Sequence, residues 1–325
     1  MRPFIYQVPS SIRKVNSDFS QDTEFVAGGT TLIDLMKLEV MTPSQLMDIN
    51  GLPMSGIGLT ADGLRIGALE KMSDVAEHPE VIAKYPVISQ ALLKSASAQI
   101  RNMASMGGNL MQRTRCGYFR DVSTPCNKRQ PGSGCPAIDG WNRSYAILGT
   151  SSFCVATHPS DLAVALVALD ASILLQSRNG DRVLKLDDFY RVPGETPEKE
   201  NQLNPGELIT EIRVPRLPWA QRSIYLKIRD RESYEFALAS VAAALDVDGD
   251  NIRDARVAVG GVGTKPWNLP QVRDALIGKP MNQQTFETAA KLATEGAQPL
   301  RHNAFKVELV QRTIVRALIN LESLA

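Results

Sequence analysis

All four cysteines of this 325-residue chain, Cys116, Cys126, Cys135 and Cys154, fall within one 39-residue stretch. Unpaired cysteine is ordinarily scattered through a core as a small buried hydrophobe. Clustering of this kind asks the fold to bring thiols together, as disulfides, metal ligands or cluster ligands. Disulfides fit least well. The segment Met1–Pro9 lacks the apolar core of a secretory signal, so synthesis and folding in the cytoplasm are the default. Thiols stay reduced there. Zinc favours a close pair such as CxxC, whereas the gaps here are nine, eight and eighteen residues. The spacing argues against zinc without deciding for iron–sulfur. Four thiolates with none to spare suit one cubane [4Fe–4S] cluster. From Arg101 to Arg129, six basic residues (Arg101, Arg113, Arg115, Arg120, Lys128, Arg129) face the single acid Asp121. This charge is expected to favour thiolate over thiol. A basic solvated loop with incidental cysteines is the bland alternative.

Composition narrows the classes. A net charge of +1 gives no electrostatic case for nucleic acid or a membrane surface, and no run approaches a membrane span. The length predicts more than one domain. Residues 1–55 hold a strand at Glu24–Ala27, a Gly28-Gly29-Thr30-Thr31 turn with Thr30 or Thr31 as N-cap, and Leu32, Leu35, Met36 and Val40 at helical spacing. Residues 56–215 run from a strand at Leu64–Gly67 through a helical stretch Val87–Arg101, the cysteine window (an insertion at 113–155) and an apolar helix near Leu162–Ala171. They end in an alternating strand, Leu208–Val214. Val192–Pro205 reads as an exposed loop. Residues 216–325 form a smaller α+β unit. Its strands are Ile224–Ile228, Ala237–Val247 (alanine-rich, equally helical) and Arg256–Val259, followed by amphipathic helices Phe286–Glu295 and Val307–Leu321.

Three segments look built to hold a phosphate-bearing ligand. In Val26-Ala27-Gly28-Gly29-Thr30-Thr31-Leu32 the glycines let backbone approach a ligand, and the N–H groups that follow can bind phosphate. It is not a GxGxxG fingerprint, and a plain tight turn is the bland alternative. Ser105-Met106-Gly107-Gly108-Asn109 repeats the character, and Pro159-Ser160-Asp161-Leu162 adds a hydroxyl and a carboxylate at a helix start, where either residue can simply be a cap. Cys116 follows Asn109 by seven residues and Cys154 precedes Asp161 by seven, a reach of at most about 25 Å, so the window is tethered near these segments. None of His78, His158 or His302 shows a metal-pair spacing, and His158 reads as a packing or capping residue. No catalytic residue set is found in the chain.

The order of these segments resembles the FAD-binding subunit of the molybdenum hydroxylases, the xanthine dehydrogenase and aldehyde oxidoreductase family. The resemblance rests on Ala27–Leu32, Ile100-Arg101-Asn102 leading into Gly107-Gly108-Asn109-Leu110, and His158–Leu162. It continues through Leu203–Val214 and Gly260-Gly261-Val262. Arg113-Thr114-Arg115-Cys116, Pro125–Arg129 and Pro131–Cys135 point further, to the flavoprotein subunits of bacterial periplasmic aromatic-aldehyde oxidoreductases.

The resemblance implies an α+β chain: a two-subdomain FAD-binding fold of the vanillyl-alcohol-oxidase (PCMH) type, then a smaller α+β C-terminal domain. It implies that Val26, Ala27, Gly28, Gly29, Thr30, Thr31 and Leu32 wrap the FAD pyrophosphate. Ser105, Met106, Gly107, Gly108 and Asn109 would form a second diphosphate loop, and Asp161 would hold ribityl or ribose hydroxyls. Leu208 and Lys227 would lie near the flavin, although Lys227 also reads as a solvated strand residue. Met106 and Ser105 depart from the usual β-branched residue and Thr, yet keep the backbone and the hydroxyl. Relatives with the insertion carry a [4Fe–4S] cluster on the four cysteines.

A heterotrimer is implied. A large partner with molybdopterin cytosine dinucleotide oxidises an aldehyde, and a small partner with two [2Fe–2S] clusters passes electrons to this chain's FAD and on to an external acceptor. Export to the periplasm would rely on a signal-bearing partner, with a cytoplasmic location as the alternative. A zinc-stapled binding or regulatory module and a stand-alone flavin oxidase are the competing readings. The oxidase would need a general base and substrate pocket for which no residue set is found.

Overall fold

A computed structural model describes residues 1–323. Parallel pairing opens the chain: β1 (Ile5–Gln7), α1 (Ile12–Asp18), β2 (Thr23–Val26), α2 (Leu32–Lys37) and β3 (Gln45–Asp48) form a three-stranded sheet ordered β1-β3-β2. Parallel strands need helical crossovers, and their carboxyl ends carry loops suited to ligands. The Ala27–Thr31 turn leaves β2 at such an end. The helix after it is shorter than the apolar spacing predicts. Glu39 takes a left-handed φ of 59° and Val40 folds back to bond Leu35. Thr31 sits at the N-cap position, but its side chain makes no capping bond. Leu35 and Met36 are both buried; Met36 packs on the sheet, while Leu35 packs into the cysteine segment.

The middle of the chain introduces β4 (Ile57–Thr60), β5 (Gly63–Gly67), α3 (Met72–Glu77), α4 (Pro79–Lys84), α5 (Pro86–Leu93), α6 (Ala98–Arg101), α7 (Met106–Leu110) and α8 (Gly117–Arg120). It continues with α9 (Asp161–Ala168), β6 (Ser172–Ser177), β7 (Gly180–Lys185), α10 (Leu186–Phe189) and β8 (Leu208–Pro215). Its sheet is antiparallel, ordered β4-β5-β8-β6-β7. Val87–Arg101 is not one helix: Ala96, with φ 50°, separates α5 from α6. Between α8 and α9 the cysteine segment carries no helix or strand.

The last region holds β9 (Ser223–Ile228), β10 (Ala239–Asp248), β11 (Asn251–Gly260) and β12 (Trp267–Asn268), followed by α11 (Pro270–Leu276), α12 (Gln283–Lys291) and α13 (Phe305–Glu322). Its antiparallel sheet runs β12-β11-β10-β9. The alanine-rich segment is strand, not helix. Successive residues of a strand face opposite sides. Val241, Ala243 and Leu245 enter the core under α13, whereas Ala242 and, on β11, Ala258 enter the central core with α9. Both faces are buried, and alanine on the second lets α9 approach closely. Every residue of α9 is buried. No helix among the described residues is long and apolar enough to cross a membrane.

Candidate functional site

Two cavities, of about 580 and 470 Å³, lie on either side of the Gly28–Thr31 loop, and Thr30, Thr31 and Gly108 line both. Each lies within the size range of a small-ligand site. The first is bordered by Val26–Leu32, Ser105, Gly107, Leu208 and residues 198–204. The second is bordered by Asn109, Asp161, Lys227, Arg115, Tyr234 and Phe236. Leu208 and Lys227, both implied beside the flavin, therefore border different cavities.

The two glycine loops are not equivalent. Among the described residues, the backbone N–H groups of Gly28, Gly29, Thr30, Thr31 and Leu32 find no acceptor in the protein. A run of free N–H groups on a cavity wall is a ready anion cradle. In the second loop the donors are already used: Met106 N to Glu70 O, Gly107 N to Ala68 O, Gly108 N to Ser105 Oγ and Asn109 N to Ser105 O. Ser105 caps α7, and Met106 is fully buried in the central core. The second loop thus supplies shape more than donors. The glycines also serve packing. A Cβ on Gly28 would sit 2.0 Å from the Met103 carbonyl oxygen, so the two loops touch backbone to backbone there. Gly29 adopts a left-handed φ of 68°.

Asp161 opens α9 with Ser160 as N-cap. Its carboxylate accepts from Lys227 Nζ at 2.7 Å, Tyr225 OH at 2.6 Å and Ser95 Oγ at 3.1 Å. Lys227 is buried and also donates to Lys94 O, which removes the solvated-strand alternative. A carboxylate has about four acceptor positions, so Asp161 keeps roughly one for a ligand. Burial, then the Asp161 charge, raises the Tyr225 hydroxyl well above its ordinary pKa. Ser160 Oγ donates to Asn109 Oδ1 at 2.5 Å and so ties the start of α9 to the second loop. His158 is a packing and capping residue: its ring lies edge-on to Tyr190, and its Nδ1 accepts from Ser160 N. Burial lowers its pKa to about 4.

The four cysteines are brought together around one small cavity, are all free, and pack with Phe119, Tyr145 and Leu35. Cys116, Cys126 and Cys154 are buried, and Cys135 is half-buried. No group of three His, Cys, Asp or Glu side chains among the described residues is placed to hold a metal ion. The expected electrostatics is overturned. Burial raises the Cys116 and Cys135 thiols, and pushes Cys154 up to about 11. The cations that were to favour thiolate are engaged elsewhere. Arg120 pairs bidentately with Asp34; Arg113 and Lys128 share Glu200; Arg129 donates to the Tyr118 and Phe119 carbonyls. Lys128 alone pulls on Cys154.

The Val192–Pro205 loop is not merely exposed. Residues 198–204 wall the first cavity, and Glu200, largely buried, receives Arg113 Nε at 2.9 Å and Lys128 Nζ at 2.7 Å. Burial would raise its carboxyl, but the two cations hold it below the ordinary range. Nothing in the polar composition of the loop signals this, because its burial comes from ion pairing with residues 72 to 87 positions away.

A family model for the FAD binding domain in molybdopterin dehydrogenase matches residues 2–217, and one for the CO dehydrogenase flavoprotein C-terminal domain matches residues 224–321. The chain belongs to the FAD-binding subunits of the molybdenum hydroxylases. Among these subunits it is 48% identical to the aldehyde oxidoreductase FAD-binding subunit PaoB of Escherichia coli over 91% of this chain and 90% of that one. It is 29% identical to the glyceraldehyde dehydrogenase medium chain of Sulfolobus acidocaldarius, covering 92% and 90%. The reconstituted CO dehydrogenase of Oligotropha carboxidovorans shares the fold, with a TM-score of 0.78, 23% identity and full coverage of both chains. As a FAD-binding subunit it serves within a multi-subunit enzyme. The residues fit FAD, since five free N–H donors lie where two cavities meet, and FAD joins two aromatic ends through a pyrophosphate.

Proposed function

We propose that this chain carries electrons in a molybdenum-dependent aldehyde oxidoreductase, holding FAD in the paired cavities and a [4Fe–4S] cluster on Cys116, Cys126, Cys135 and Cys154. The observation that carries the flavin part is the run of free N–H groups from Gly28 to Leu32 at the junction of the cavities. The pyrophosphate would lie on that run. The adenosine end would occupy the cavity walled by residues 198–204, and the flavin ring the cavity with Lys227 and Tyr234. Asp161, fixed by Lys227, Tyr225 and Ser95, offers its remaining acceptor position to a ribityl hydroxyl. When bound, FAD supplies the exchange of one or two electrons at a time.

The likeness to the aldehyde oxidoreductase subunit supports the substrate class. Electrons would come from [2Fe–2S] clusters of a small partner, after a large partner with the molybdenum cofactor has oxidised the aldehyde, and leave to an external acceptor. For the cluster, the supporting observation is the donor set itself: four free thiols line one cavity, and no disulfide competes for them. The elevated thiols mean that loading must displace protons. Co-export to the periplasm with a signal-bearing partner belongs to the same proposal, and fractionation with and without the small subunit tests it.

The absorption spectrum of the purified chain, with iron and sulfide analysis, is the test. Flavin bands with a broad iron–sulfur absorption that bleaches with dithionite are expected, together with about four irons per chain. A colourless protein carrying one zinc would sink the whole reading. Flavin without iron would remove the cluster alone.

A further inference from the structure

Three ionic groups from distant parts of the chain, drawn from the linings of the dinucleotide cavity and the thiol cavity, meet in one cluster. Arg113 and Glu200 border the first cavity. Lys128, two residues after Cys126, borders the thiol cavity. Glu200 receives both cations, and Lys128 Nζ also donates to the Pro197 carbonyl at 2.8 Å. A small cleft between the two sites is lined by Cys154, Lys128, Glu200 and Met111, and Met111 also borders the dinucleotide cavity. The 193–204 strap is also held by Arg182, which donates to the Gln202 carbonyl at 2.6 Å, and by Asn201 Nδ2, which meets Met111 Sδ at 3.8 Å. Its backbone bonds are local or run to Phe189 and Arg191 at its base. The Arg113 guanidinium meanwhile lies over the Phe119 ring, which packs among the cysteines.

We propose that Glu200 is a positioning residue that closes the 193–204 strap over the dinucleotide by pairing with Lys128, so that affinity for FAD depends on the order of the cysteine segment. This rests on FAD occupying the cavity as proposed above. Lys128 is held by the chain around Cys126, where Asn127 bonds both Gly134 N and the Phe153 carbonyl. A segment ordered by its ligands presents the ammonium at the strap; a loosened one withdraws it. The coupling is reciprocal, because a ligand that closes the strap also steadies Lys128.

The test titrates FAD into the full-length, flavin-stripped chain as wild type, Glu200→Gln, Lys128→Gln and the double variant. Each single change should raise the dissociation constant about tenfold, and the double variant should fall short of the product of the two effects, since both break the Lys128–Glu200 pair while each also loses one contact of its own, Arg113 to Glu200 or Lys128 to the Pro197 carbonyl. A wild-type constant in either single variant, or changes that multiply in the double, overturns the inference. A second arm separates positioning from bulk support. FAD should alter the electron paramagnetic resonance spectrum of the reduced cluster in wild type, and Glu200→Gln should abolish that change while iron content holds. A change that survives in Glu200→Gln overturns the inference as well. Iron analysis keeps the two readings apart: a chain without iron removes the cluster and leaves the titrations to decide the strap.

Discussion

Lys306 shows at the residue scale how burial without a counter-ion shapes a side chain. It is fully buried, donates to the Ser144 and Gly261 carbonyls, and desolvation, helped by Arg143, lowers its pKa to about 7. The unfolded chain would hold that proton to about pH 10.4. Between the two values the unfolded state binds more protons, so this residue's contribution to stability rises with pH across that window and is smallest below it. Relative to Lys306→Met, the stability of wild type read from urea midpoints should therefore rise from pH 6.5 to pH 9. A difference that ignores pH refutes the burial argument. Gly28 is a second case. In Gly28→Ala the new methyl meets the Met103 carbonyl, the loops must part, and FAD retention should fall at least tenfold by flavin-to-protein ratio. The cysteine thiols teach the reverse lesson about charge. Six basic residues could be counted in the sequence, but the Asp34 and Glu200 that absorb most of their effect lie 72 to 87 positions from their partners.

At the scale of elements, legibility followed exposure. β8 could be read because one of its faces alternates, giving a buried, half-buried rhythm toward Pro215. β10 could not, because both faces are buried and no alternation survives, leaving alanine's helix propensity to compete. What decides it is α9, lying on the Ala242 and Ala258 face. Ala242→Leu should push α9 away and cost about 1–3 kcal/mol of stability, measured by denaturant unfolding. It should also loosen Asp161, seen as faster FAD release. A neutral result would mean that the alanine face is not a packing constraint. Of the site, the glycine loops and Asp161 were readable as motifs, whereas the division of labour between the loops was not. Which N–H groups remain free depends on Ala68 and Glu70, and only the fold places those beside the second loop.

At the scale of the whole molecule, the cysteine segment is suspended between its neighbours. Asn303, fully buried, donates to the Tyr145 and Ala146 carbonyls and accepts from Leu300 N. His302 N donates to Asn142, Gln298 N to Ile147 O, and Ile147 N to Val262 O. Asn303→Ala leaves buried carbonyls unpaired and should cost about 2–3 kcal/mol. Limited proteolysis should then cut between Cys135 and Cys154 faster than in wild type, with no matching change near α9. Equal cleavage rates would show that the C-terminal region does not hold this segment.

That suspension sets an order in time. The ribosome releases the four cysteines long before residues 298–306, which fasten the segment, have been made. At ordinary elongation rates the intervening stretch of about 150 residues takes roughly 10–30 s to synthesise. Throughout that interval the thiols belong to a loop that lacks its C-terminal fasteners. The cysteine segment therefore completes its order only once residues 298–306 have emerged.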